Sequence, residues 1–131
     1  MNKIEAVVDA IAYTLKAYQG DSLAYTLRNP ILLRSYARPG KHQVDEEGHR
    51  IFDSYLGGYK AAVWDVELKL NGNSNCGLTE TDRLRNLLGV LGLKKEEDIL
   101  SVVYFLRKSL QDPSINQLTP LSYFRNPECK G

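Results

Sequence analysis

Six side chains able to hold an anion or move a proton crowd one short stretch: Arg34, Arg38, Lys41, His42, His49 and Arg50. They surround the dipeptide Pro39-Gly40, whose order suits a tight turn after Arg38. Guanidinium forks bind phosphate and carboxylate through paired hydrogen bonds, so the stretch is a candidate anion- or phosphate-binding loop. Asp45, Glu46 and Glu47 are interleaved with the cations and supply counter-charge, so a solvated surface loop is the plain alternative. Within the same loop His42, Asp45, Glu46 and His49 offer nitrogen and oxygen ligands. Their spacing does not match the His-pair helix of zinc hydrolases, and the paired cysteines of a structural zinc site are missing. No metal and no cofactor are therefore assigned. Two histidines in one loop could still serve acid–base chemistry. No Ser-His-Asp arrangement, phosphate-cradling glycine loop or dinucleotide fingerprint accompanies them.

A second set of residues suits association rather than chemistry. The chain has eight tyrosines against three phenylalanines, and six of those tyrosines fall within the first 60 residues. A tyrosine couples an apolar ring to a polar tip, which fits half-buried positions and interfaces. Tyr55 and Tyr59 flank Gly57-Gly58 inside a helical stretch. Two glycines there cost about 1 kcal/mol each relative to alanine, unless a close neighbour compensates or the helix kinks. Leu118, Leu121 and Phe124 lie in a C-terminal segment without sustained periodicity, read as an extended arm over 112–131 that packs on the body or on a neighbour. Gly57, Gly58, Tyr55, Tyr59, Leu118, Leu121 and Phe124 are the candidate interface residues.

The elements that must position these groups are helical. Ile4, Val7, Val8, Ile11, Leu15 and Tyr18 share one helix face, predicting a helix over 3–19 capped by Asn2 and closed at Gly20. A short helix follows over 23–28, capped by Asp21 or Ser22. Asn29-Pro30 predicts a stop and a restart, with one or two helical turns through Ile31, Leu32, Leu33 and Tyr36. Residues 41–52 read equally as a small hairpin turning at Gly48 or as a loop. Asp53 or Ser54 caps a helix over 54–70, whose Asp65 and Lys69 form an i,i+4 pair away from the apolar face. A polar loop over 71–77 leads to two helices, 80–91 and 95–110, expected to pair antiparallel and to pack on the first and third helices. Their helix–turn–helix order is not read as DNA-binding. Glu96, Glu97 and Asp98 open the second helix where phosphates would approach.

These elements make one mainly α domain of about five helices spanning 131 residues. Hydrophobic residues are 43% and charged residues 25%, which excludes a disordered chain, a collagen-like repeat and a disulfide-stapled scaffold. A formal charge of +1 lacks the basic excess common in proteins that neutralise many phosphates. Cys76 and Cys129 read as two incidental thiols, and no signal peptide or apolar membrane span is legible, so a cytoplasmic location is expected. The leading functional expectation is a non-enzymatic protein acting through protein contacts and self-associating as a homodimer. The alternative is a nucleic-acid or phosphate-ligand binder using loop 34–50, and the third is a small metal-dependent or acid–base enzyme.

Overall fold

A computed structural model describes residues 2–34, 43–71, 78–79 and 81–125. Among these residues five α-helices run in chain order: α1 (Lys3–Thr14), α2 (Leu23–Thr26), α3 (Tyr55–Leu70), α4 (Leu84–Val90) and α5 (Glu96–Leu110), followed by a 3-10 turn at Leu121–Phe124. The fold is mainly helical, as its periodicity predicts. Among the described residues the backbone between helices pairs only as isolated bridges, Arg34 with His49, Val44 with Arg50, and Arg83 with Pro120. In the expected hairpin region, a turn over Asp45–Gly48 is flanked by these single bridges rather than by strands.

The hub of the fold is α1. It packs most extensively on α5 and next on α3. Ile4, Val7, Val8 and Ile11 are buried as their spacing requires, but so are Ala6, Ala10 and Ala12. Small side chains on the second face let a neighbouring element approach closely, so α1 is covered on more than one side. Its N-terminus is held by reciprocal caps: Asn2 Oδ1 accepts from the Glu5 N–H at 2.7 Å, and Glu5 Oε1 accepts from the Asn2 N–H at 3.3 Å.

The helix ends earlier than its apolar pattern suggests. Leu15 is the C-cap, and Lys16 adopts a left-handed conformation at φ 59°. The Lys16 N–H reaches the Tyr13 carbonyl and the Ala17 N–H reaches the Ala12 carbonyl, satisfying two orphan acceptors. Ala12, Ala17 and Ala24 then close into a small apolar cluster. The same closure ends α2, with Arg28 at φ 52°, and α5, with Gln111 at φ 52°. Among the described residues α4 alone uses a glycine for it, Gly92 at φ 93°.

Two further expectations are corrected. Residues 31–34 do not form helical turns. Buried Asn29 binds the segment instead, accepting from the Leu33 N–H and donating to the carbonyls of Leu33 and Arg50. A side chain that bonds its own downstream backbone offers the chain an alternative to helix. Second, α4 and α5 do not make an extensive antiparallel pair. The first turn of α4 is met by the C-terminal segment: the Leu84 N–H donates to the Thr119 carbonyl at 2.8 Å and the Arg85 N–H to the Gln117 carbonyl at 2.9 Å. Helix N-termini leave such donors without partners, and here the tail supplies the acceptors.

The described part of that tail is packed on the body. Ile115, Leu121 and Phe124 are buried in the main core. Tyr123 Oη donates to Asp112 Oδ2 at 2.5 Å, and Lys3 Nζ reaches the Tyr123 carbonyl at 3.0 Å.

Candidate functional site

Of the predicted basic cluster, Arg38, Lys41 and His42 lie outside the described residues. The remaining members are brought together where residues 33–34 pair with residues 49–50, in different roles. Arg34 is exposed and its guanidinium donates to the Glu47 carbonyl. Arg50 lies over the Phe52 ring, 4.6 Å from its centroid, while its backbone N–H donates to the Leu33 carbonyl at 2.8 Å. His49 is buried and its Nδ1 sits 2.9 Å from Asp45 Oδ2.

Asp45 organises this turn. Its Oδ1 accepts from the N–H groups of Glu47 and His49 at 2.9 and 2.8 Å. The His49 hydrogen bond, followed by the two backbone N–H groups, holds the Asp45 carboxyl below its ordinary range. The pair therefore has the geometry of a turn clamp: both carboxylate oxygens are engaged within the loop. Among the described residues no group of three or more His, Cys, Asp or Glu side chains is placed to hold a metal ion.

The interface candidates divide. Tyr55 and Tyr59 belong to a continuous row of six rings that runs from α5 through α1 and the α1–α2 connection to α3. Tyr104 meets Phe105 at 5.4 Å between centroids, Phe105 meets Tyr13 at 5.2 Å, and Tyr13 meets Tyr18 at 5.0 Å. Tyr18 then meets Tyr55 at 5.6 Å, and Tyr55 meets Tyr59 at 6.3 Å. Tyr13, Tyr18 and Tyr104 are about half exposed, at 51%, 46% and 55%. Leu100, one turn before Tyr104, is also exposed. The early end of α1 creates this arrangement. The turn at Lys16–Gln19 swings Tyr18 between Tyr13 and Tyr55, and the Ser22 hydroxyl pins that turn to the Lys16 carbonyl at 2.6 Å.

The row has an acidic flank. Asp9 of α1 lies beside Tyr18, Tyr55 and Tyr59, and partial burial raises its carboxyl above the usual range against a hydrogen bond from Tyr59. Burial likewise raises the Tyr18, Tyr55 and Tyr59 phenols. The Tyr55 hydroxyl is buried beside Tyr18 without meeting hydrogen-bond geometry.

The other interface candidates are relocated. Leu121 and Phe124 are fully buried in the chain's own core and cannot present a surface; Leu118 alone of that trio is exposed. Gly58 is buried against the chain's own backbone. A Cβ there would stand 2.0 Å from the Arg28 carbonyl oxygen, so the close approach it permits is to the 28–30 segment. Gly57 is exposed, next to the Ser54 hydroxyl that caps α3.

The Asp65–Lys69 pair forms as its spacing predicts, but its setting differs. Asp65 and Lys69 are not a solvent-facing pair: Lys69 is only 6% exposed, with its Nζ 2.6 Å from Asp65 Oδ2. The signal was present, because Lys69 falls at helical spacing with Ala62, Val66 and Leu70, all buried. The pair lines a cleft of about 380 Å³ shared with Arg34 and Lys94.

Comparison with known proteins adds no assignment: no family model, no curated protein and no solved structure matches the chain.

Proposed function

We propose that this is a non-enzymatic cytoplasmic protein that works through protein contacts and self-associates through its aromatic face. The observation that carries the reading is the unbroken row Tyr104–Phe105–Tyr13–Tyr18–Tyr55–Tyr59, half-exposed at three of its six rings. Rigid amphipathic rings supply large contact area at low entropy cost, and tyrosine is among the residues that dominate interface energies. Exposed Leu100 extends the apolar surface beside Tyr104. No helix among the described residues is long and apolar enough to cross a membrane.

The test is sedimentation velocity across a wide concentration range on the full chain and on a Tyr13→Ser/Tyr18→Ser/Tyr104→Ser variant. The expected result is a concentration-dependent dimer for the parent and a monomer of unchanged far-ultraviolet circular dichroism for the variant. A parent that stays monomeric at high concentration, or a dimer that the triple substitution leaves intact, overturns the reading. A second reading, anion binding, draws support from the cationic cleft that contains Arg34.

A further inference from the structure

We infer that the cleft between residues 31–34, the C-terminal half of α3 and the α4–α5 connection binds a small organic anion, an oxyanion head on a short apolar body. The cleft has a volume of about 380 Å³, within the range of small-molecule sites. Among the described residues three cations line it, Arg34, Lys69 and Lys94, against a single carboxylate, Asp65. Between them the walls are apolar: Ile31, Leu32 and Val90. Low-dielectric walls concentrate the field of the excess positive charge on the space they enclose. Gly89 and Gly92 leave the α4 side open, since a Cβ on either would meet nothing within 4 Å.

Lys69 is the distinctive part. Lysine is almost never fully buried unless paired, and a buried ion pair is by itself a weak source of stability. Here Asp65 is the one acceptor of its ammonium among the described residues, although an ammonium carries three N–H groups. An oxyanion in the cleft supplies the acceptors that Asp65 leaves unmet, and adds negative charge where it is lacking. Arg34 gives one arm of its fork to the Glu47 carbonyl, which orients the guanidinium at the rim. Lys94 lines the cleft from the α4–α5 connection. The apolar walls accept the remainder of the ligand and exclude a bare inorganic ion as the best fit.

The experiment titrates the full chain with octanoate, octyl phosphate, inorganic phosphate and the neutral alcohol 1-octanol, read by amide chemical shifts. Saturable shifts are expected at residues 31–34, 65–69 and 89–94 with octanoate or octyl phosphate, whichever binds tighter naming the head group. Inorganic phosphate and 1-octanol should each bind at least about tenfold more weakly, each lacking one half of the recognition. Arg34→Met and Lys94→Met should each weaken the organic anion by about tenfold, the scale of one charge-assisted hydrogen bond. Because Lys69→Met alone would strand Asp65, the pair is tested as Asp65→Leu/Lys69→Met, with thermal melting as the folding control. Absence of saturable shifts, equal binding of 1-octanol, or affinity indifferent to Arg34→Met and Lys94→Met overturns the inference. Failure here leaves the aromatic-face reading untouched, since the two surfaces share no residue.

Discussion

Replacing Gly58 by alanine tests the packing of α3 against the backbone before it. The added Cβ would stand 2.0 Å from the Arg28 carbonyl oxygen and 3.1 Å from Pro30 Cδ. A tolerated carbon–oxygen contact is about 3.3 Å or more, so the helix and the segment must separate by roughly 1 Å. The segment cannot yield freely. Asn29 ties it to Leu33 and Arg50 through three side-chain hydrogen bonds, and the Asn29 N–H is held by the Ala24 carbonyl. Overpacking of a closed site costs about 3 kcal/mol at the upper end of its usual range, and alanine returns about 1 kcal/mol of helix propensity. The net expectation is a loss of about 2 kcal/mol, a fall in Tm of roughly 6–10 °C for a domain of this size. Gly89→Ala is the matched control, because it lies in α4 and its Cβ meets nothing within 4 Å. It should gain about 0.5–1 kcal/mol, raising Tm by roughly 2–4 °C. Differential scanning calorimetry of parent and both variants decides. A Gly58→Ala protein that melts at or above the parent refutes the intrachain approach and returns Gly58 to the list of association candidates.

Two further outcomes follow from the same structure. Burial raises the folded-state pKa of Asp9 above 3.8, so its contribution is present below that pH and lost as pH rises through the folded value. Asp9→Asn should therefore be more stable than the parent in urea at neutral pH, with the gap closing in acid; a less stable variant at neutral pH contradicts this. Phe124→Ala should cost about 3–5 kcal/mol by transfer and cavity effects, whereas exposed Leu118→Ala should stay within about 0.5 kcal/mol. Equal effects in urea denaturation would mean that the tail does not pack as described.

Much of the helical framework was legible because it obeys local rules. Ser54 accepts from the Gly57 N–H and opens α3, as its position before the apolar pattern suggests. Glu96, Glu97 and Asp98 at the start of α5 and Arg107 and Lys108 at its end match the helix dipole. Helix ends were legible unevenly: α5 ends at Leu110 as expected, whereas α1 ends at Thr14, well short of the glycine at 20 that was expected to close it. Gly92 closes α4, but Lys16, Arg28 and Gln111 take the same left-handed conformation without any residue signature. Tertiary packing outweighs the cost of about 1 kcal/mol for a non-glycine residue there. Reading past Lys16 extended α1 and hid the turn that inserts Tyr18 into the aromatic row.

The candidate sites divide along the same line. The sequence by itself identified the tyrosine excess, the cationic stretch, the i,i+4 pair of Asp65 and Lys69, and a tail with apolar content. Each of these is composition or spacing within one segment. Only the tertiary structure decided what they face. It placed Leu121 and Phe124 in the core, turned Lys69 from a surface residue into a buried cleft wall, and joined rings from α1, α3 and α5 into one surface. The physical reason is that helical periodicity specifies which side of an element is apolar, whereas the neighbour that covers it is set by packing between segments far apart in sequence.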